Sequence, residues 1–329
     1  MPLKSIHFRN FKALRRLDLE LRELNVLTGA NNAGKSTALS AIRLLDAALR
    51  YARRRSPHLL DTPLGRRLAY LIPTEGLAVS IENIHTDLVD SDTTVEFVLE
   101  EGGRLLLHFP PDGSCIFCVG DGLELPSSPS IFRRVIPIQV VQVPVLGPLE
   151  DEEKLVMEQT LRRGIGTHRA ARHFRNYWHR YPENFSDFAE RIRQTWPGME
   201  VEPPEMITGL KGGILFMYCR ENRLTRELYW CGFGFQIWCQ LLTHISRAGP
   251  GDVLVVDEPE TYLHPRVQRQ LLALLRDTGA QVVLATHSAT LIASAQSGEV
   301  VGVGRSQRTA RRYTETGTAL CQMLELLPE

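Results

Sequence analysis

The run "LNVLTGANNAGKSTALSAIRLL", residues 24–45, constrains this chain more than any other stretch. Leu24, Val26 and Leu27 read as an apolar strand, and Ala38, Leu39, Ile42 and Leu45 recur at helical spacing. Between them stands GANNAGKS, residues 29–36, which satisfies the G-x-x-x-x-G-K-[ST] pattern of a phosphate-binding loop. Glycines let such a loop curl until successive N–H groups converge, and the following helix adds the positive end of its dipole at the same point. Gly29, Asn31, Asn32, Ala33, Gly34, Lys35, Ser36 and Thr37 are therefore the candidate phosphate-binding residues. Lys35 is placed to reach the β- and γ-phosphates, and the Ser36 hydroxyl to take one position on Mg²⁺.

Two further apolar strands end in chemistry. "VLVVDEPE" presents Asp257 at the carboxyl end of a buried strand, the position of a carboxylate that meets Mg²⁺ directly or through water. Glu258 follows, and the chain turns at Pro259, so its carboxylate can lean toward a γ-phosphate and take a proton from an attacking water. A doubled acid at a strand end calls for a compensating cation. "VVLATHS" is the next strand, with His287 at its tip, placed to sense the γ-phosphate.

The rest of the chain is organised around these strands. Its 329 residues, 43% hydrophobic and 23% charged, suit one large α/β domain or two smaller ones. Lys plus Arg equals Asp plus Glu, 38 each, so any contact with DNA or RNA has to come from a local patch. No run of about eighteen apolar residues argues for a membrane span, and no charged-then-apolar leader for export. Six scattered cysteines fit reduced thiols in a cytoplasm. Cys115 and Cys118 form a C-x-x-C, but they lie in the alternating "CIFCV" and no second pair follows at zinc-site spacing.

Residues 3–27 read as short strands of an edge hairpin, with Ile6 and Phe8 on one face and Leu17, Leu19 and Leu21 on another. Residues 57–130 read as an inserted subdomain, antiparallel over 77–120, in which "TVEFVLEEGGRLLLHF" is a hairpin around Gly102 and Gly103. Residues 150–205 read as a helical arm ending at Pro197 and Gly198. Arg162, Arg163, Arg169, Arg172, Arg175 and Arg180 gather there beside Tyr177 and Trp178. Such a mixture suits nucleic acid, but a solvated arm whose aromatics pack inward is the plainer reading. Strand and helix then alternate to the end, which predicts a mixed, largely parallel sheet covered on both faces.

The motifs "LTGANNAGKST", "VLVVDEPETYLHP" and "VVLATHS" resemble ABC-type ATPases of the SMC, RecF and overcoming-lysogenisation-defect (OLD) group, and "IHFRNFKAL" looks like the hairpin that opens many of them. The likeness covers roughly residues 1–50 and 225–296. It implies a P-loop ATPase head, one ATPase domain over residues 1–329, that binds ATP and Mg²⁺ and closes face to face with a second copy over two nucleotides, as a homodimer or higher even oligomer. It implies that Leu263 to Pro265 fall in the loop touching the partner, that His287 is the switch histidine, and that Gln142 watches Mg²⁺, with Gln139 as the alternative. The segment that should carry the S-G-G signature reads "CGFGFQ" instead, so Gly232, Gly234 and Gln236 are the candidates for that contact. The resemblance also implies a nucleic-acid or antiviral role. Many OLD proteins continue into a Toprim nuclease; residues 288–329 carry no acidic cluster, so a separately encoded nuclease or toxic effector is the expected partner, with DNA or RNA as the other. A transporter subunit would need the missing signature, and a small-molecule kinase has no use for Glu258 and His287.

Overall fold

A computed structural model describes residues 2–74, 77, 83–88, 91–167, 169–209, 212–305, 307–317 and 320. The thiol of Cys321 and part of the 77–120 stretch lie outside the described residues. In chain order the elements are β1 (Leu3–Phe11), β2 (Leu14–Glu20), β3 (Leu24–Thr28), α1 (Lys35–Ala52), β4 (His58–Thr62), β5 (Gly65–Leu71), β6 (Thr93–Leu99), β7 (Arg104–Phe109), β8 (Ile116–Val119), α2 (Pro129–Val135), β9 (Val140–Val143) and β10 (Glu153–Lys154). They continue with α3 (Glu158–Gly164), α4 (Phe174–Arg180), α5 (Phe185–Thr195), β11 (Met199–Val201), β12 (Glu205–Gly209), β13 (Gly212–Phe216), β14 (Tyr218–Glu221), β15 (Leu224–Glu227) and α6 (Phe233–Ile245). The last are β16 (Val253–Asp257), α7 (Pro265–Asp277), β17 (Gln281–Ala285), α8 (Ala289–Ser294), β18 (Val300–Gly302) and β19 (Arg311–Arg312). The chain forms two compact units, one of residues 1–140, 250–255 and 279–329, the other of residues 141–249 and 256–278.

In the first unit an antiparallel sheet runs β2-β1-β6-β7-β8-β5-β4. The expected hairpin around Gly102 and Gly103 is present as β6 and β7, with Val98 opposite Arg104. These strands complete the sheet begun by β1 and β2: Ile6 pairs with Phe97 and Phe8 with Val95. The two-face reading of the opening hairpin needs correcting. Leu19 stands directly opposite Ile6 and Leu17 opposite Phe8, so the four side chains share one face and are buried together. Sequence alternation gives the period of each strand but not which face of its partner it meets.

The unit's second sheet holds β3 between two parallel neighbours, β17 and β18, with Leu27 opposite Ala285 on one side and Val301 on the other. All five residues of β3 are buried, as are those of β17, because such strands are covered on both faces. The order is β19-β18-β3-β17-β16-β9, and the chain passes into the other unit within β16 and β9. The predicted stripe of α1, Ala38, Leu39, Ile42 and Leu45, is buried on the core cluster that also takes Leu27, Val283 and Val301.

In the second unit the 150–205 arm is helical from α3 to α5, as its spacing predicts. Its aromatics turn inward. Trp178 stacks on Phe188 with ring centroids 4.4 Å apart and its indole N–H donates to Thr243 Oγ1 of α6 at 2.9 Å. Trp238 of α6 returns a bond of 2.8 Å to Thr195 Oγ1. Both indoles are buried with their polar atom satisfied, which fixes α4 and α5 against α6. Several of the arm's cations are engaged as well: Arg162 pairs with Glu158, Arg172 with Glu150 and Arg193 with Glu190. The inward-packed reading is the one the structure supports.

Cys115 stands just before β8 and Cys118 within it, both buried, and among the described residues no cluster of three His, Cys, Asp or Glu side chains could hold a metal ion. Burial pushes the Cys115 thiol up to about 12 and that of Cys118 up to about 11. Cys231 is different. A hydrogen bond from the Cys219 thiol, helped by the Arg226 cation, holds it below the usual thiol range against the effect of burial. Iodoacetamide at pH 7.5 therefore labels Cys231 ahead of Cys115, Cys118, Cys219 and Cys239 in the folded chain, read by peptide mass spectrometry, since the thiolate is the nucleophile. Labelling of Cys115 as fast as Cys231 would contradict this.

Candidate functional site

In the first unit the loop after β3 has the backbone its glycines predict. Gly29 and Gly34 take φ of 149° and 111°, and Asn32 takes 61°. A Cβ on Gly29 would overlap the carbonyl oxygen of Val303, and one on Gly34 would sit 2.6 Å from Leu14 Cδ2. Both positions exclude a side chain, so the loop closes tightly on the strands beside it. Gly34 caps α1 in a left-handed conformation, which leaves the N–H groups of the first helical turn without an intrahelical partner. Lys35 is only 4% exposed, and its Nζ donates to the carbonyls of Gly29 at 2.8 Å and Ala30 at 3.0 Å, lying across the loop it serves. Thr37 and Ala33 are buried, while Asn31, Asn32 and Ser36 face solvent.

His287 belongs to the same unit and the same sheet edge. The Thr286 N–H donates to Leu27 O at 3.2 Å, so His287 leaves β17 alongside the point where β3 becomes the loop. Ser288 caps α8 by accepting from Leu291 N, which turns the chain away immediately after the histidine.

The second unit holds the acids. Asp257 is 8% exposed and ends β16; Glu258, exposed, takes φ of 45°, a left-handed conformation that is strained for a residue with a Cβ. Asp257, Glu258, Pro259 and Thr261 line a cleft of about 210 Å³ together with Val143, next to Gln142 on β9, and Ile237 and Leu241 of α6. Gln142 is half-buried on β9, whereas Gln139 lies before that strand, exposed, with its carbonyl accepting from Val253 N at 2.8 Å. Tyr262 also takes a positive φ, 64°, just before His264 caps α7 through Nδ1 and Pro265 opens it.

Gly232 and Gly234 do open α6, and Gly234 has a steric reason to be glycine: a Cβ there would come 2.9 Å from the carbonyl of Tyr262. The start of α6 and the 258–265 loop therefore touch backbone to backbone. Phe233 and Tyr262, both exposed, meet edge to face above that contact with centroids 6.1 Å apart. Gln236 does not fit the role of a nucleotide ligand. It is fully buried; its Oε1 accepts from Leu149 N at 2.9 Å, and its Nε2 donates to the carbonyls of Tyr229 and Cys231 at 2.7 and 2.9 Å. Its polarity is spent on fixing the loop that leads to Gly232, because a buried amide has to be satisfied internally.

Sequence reasoning missed a second group of residues. Arg175, placed among the arm's surface cations, is 0% exposed. It donates through Nε and Nη2 to Glu227 Oε1 at 3.0 and 2.7 Å and through Nη1 to Glu150 O at 2.9 Å, with Glu153 Oε2 at 3.6 Å. Glu227 also accepts from Met217 N and Tyr229 N, so the arginine fixes the approach to α6. The available signal was its place three residues before the core residue Trp178, on the buried face of α4.

Comparison with known proteins bears on the fold that carries these residues. Residues 134–293 match the family described as "AAA domain, putative AbiEii toxin, Type IV TA system", and residues 1–94 the family described as "AAA ATPase domain". The Old nuclease of Escherichia phage P2 is 22% identical over 376 residues, which cover 95% of this chain and 61% of that protein. The chain thus spans about three fifths of the relative it matches. An SMC head bound to the C-winged-helix domain of ScpA superposes with a TM-score of 0.61 at 14% identity, over 97% of this chain and 100% of that one. The SMC head of Pyrococcus furiosus, with an extended coiled coil and bound to the C-terminal domain of ScpA, gives 0.55 at 12%, over 98% of both chains. The SMC head domain of Thermotoga maritima gives 0.51 at 15%, over 96% of this chain and 99% of that one. Fold and loop together define a P-loop ATPase with the ABC-type head architecture. Within that class the chain is similar in fold to SMC heads and in sequence to the Old nuclease. No helix among the described residues is long and apolar enough to cross a membrane.

Proposed function

We propose that this ATPase works as an ATP-gated pair, in which Lys35, Asp257 and His287 each have a role toward a magnesium triphosphate that a second copy covers. The loop fits a polyphosphate: its two glycines admit no side chain, and it leads into the N-terminus of α1, whose dipole favours an anion. ATP would be held by the backbone of residues 29–37 and by Lys35, and Mg²⁺ by Ser36 and Asp257, with Gln142 alongside. The metal supplies charge neutralisation of the phosphates when bound. Glu258 is the general base that accepts a proton from water, His287 faces the γ-phosphate, and Gly232 and Gly234 offer backbone N–H groups to the nucleotide of the facing copy. The observation that carries the hydrolytic part is the strained backbone of Glu258, since strain at a strand end persists where it serves a site.

Closure would remove water from the phosphates and strengthen every electrostatic contact there, so assembly gates chemistry. The exposed pair Phe233 and Tyr262, above the contact of Gly234 with the 258–265 loop, gives the covered face an apolar anchor. The test is the mass of Glu258→Gln in solution by light scattering. ATP with Mg²⁺ shifts it from one copy to two, and Lys35→Ala in the same background does not shift. A chain that stays monomeric at saturating nucleotide sinks the gate.

A second reading concerns what the gate drives. The likeness to a protein named a nuclease, and to a family whose description includes a toxin, supports a defence role in which the ATPase controls a nuclease or toxic effector acting on nucleic acid in the cytoplasm. Co-purification of such an effector with the wild-type chain, released by ATP turnover, is the corresponding observation.

A further inference from the structure

The segment that follows β18 lies against the phosphate loop. Because β18 runs parallel to β3 in register, Gly302 opposite Thr28, its exit travels beside the exit of β3. Val303 N–H donates to Thr28 O at 2.9 Å, and the Val303 carbonyl occupies the space a side chain on Gly29 would need. Two residues on, Arg305 Nε donates to the carbonyl of Asn32 at 2.6 Å. Asn32 is the loop residue held in the left-handed region, at φ 61°.

That bond uses one of five guanidinium N–H groups. The two terminal nitrogens of Arg305 carry the other four, the residue is exposed, and the described residues offer them neither a carboxylate nor a carbonyl. A planar fork tethered by its Nε presents two parallel N–H vectors, the geometry that matches two oxygens of one phosphate. The tether also removes part of the conformational entropy that a free arginine would lose on binding.

We propose that Arg305 is a nucleotide-binding residue whose guanidinium, tethered to Asn32 of the loop, delivers its terminal N–H pair to the phosphate oxygens that ATP and ADP have in common. The inference rests on the nucleotide site proposed above. The sheet order supplies the choice of phosphate: β18 borders β3 on one flank and β17 on the other, so Arg305 and His287 stand on opposite sides of the loop. With His287 on the γ side, Arg305 falls to the phosphates nearer the ribose. In the sequence this arginine stands in "GVGRSQRTARR", a stretch in which no spacing marks one cation among four.

The experiment is calorimetric titration of the full chain with Mg·ATP and Mg·ADP, for wild type, Arg305→Gln and Arg305→Lys, with the melting temperature of each nucleotide-free protein. Loss of a charge-assisted fork costs about ten- to a hundredfold in affinity. Arg305→Gln is expected to lose that factor for both nucleotides, and Arg305→Lys less, because it keeps the charge. In turnover KM rises by the same factor while the rate at saturation falls far less. Unchanged affinity in Arg305→Gln overturns the proposal, and so does a loss confined to ATP. Equal losses in both variants with a lowered melting temperature would reduce Arg305 to a brace for the loop and overturn it too. A wild-type chain that binds neither nucleotide would overturn the nucleotide site itself along with this inference.

Discussion

Exchanging Glu258 for glutamine lowers ATP turnover by about a hundred- to ten-thousand-fold, the usual contribution of a positioned general base, and leaves nucleotide binding intact. The amide keeps the size of the side chain and cannot accept the proton of an attacking water. Because Glu258 is exposed at φ 45°, the exchange removes no packing. Glu258→Gly separates the chemical role from the conformational one. Glycine adopts φ 45° without a Cβ penalty, so this variant is expected to melt no lower than wild type while losing turnover to the same degree. Asp257→Asn should differ from both, since it weakens Mg²⁺-dependent binding as well as rate. Phosphate release under saturating Mg·ATP is the measurement; wild-type turnover in Glu258→Gln would remove the residue from the mechanism.

What the sequence made legible was local chemistry. The loop of residues 29–36 takes positive φ at the two glycines of its motif, and the strands before Asp257 and His287 are apolar runs too short to be helices. Pairing between distant segments was not legible. β1 finds β6 about ninety residues later, and neither strand's alternation names the other, which is why the 57–130 insertion reads as separate while its strands complete the opening sheet. Polar residues were misjudged for a related reason. Gln236 sits where a signature glutamine would contact nucleotide, yet its amide is consumed by Leu149, Tyr229 and Cys231. Arg175 and Arg305 look alike in sequence, one more cation in a basic run; only their partners, a buried carboxylate in one case and the loop carbonyl in the other, tell them apart.

Arg175 yields the largest stability effect expected in the chain. Replacing it by methionine leaves Glu153, Glu227 and the Glu150 carbonyl facing one another in a buried space without the cation they share, and breaking such a cluster costs about 3–5 kcal/mol. Lysine does not rescue it, because a single ammonium cannot reach Glu227 through two nitrogens and the Glu150 carbonyl through a third. Arg175→Met combined with Glu227→Gln recovers part of the loss by removing one stranded charge. The deficit also depends on pH, with a definite sign. Burial pushes the Glu153 carboxyl above its ordinary range, although N–H groups of Asn176 and Arg175 and the arginine's charge oppose the shift. A carboxyl raised in the folded state binds its proton more tightly there than in the unfolded chain. Its contribution is therefore fully present below the unfolded value, about 4.3, and is lost as pH rises through the folded one. Without Arg175 the folded value climbs further, so the variant's deficit in urea unfolding is smaller at pH 5 than at pH 8. A deficit below about 1 kcal/mol at pH 8, the range of an exposed ion pair, would show that water reaches the cluster and that Arg175 does not hold the approach to α6.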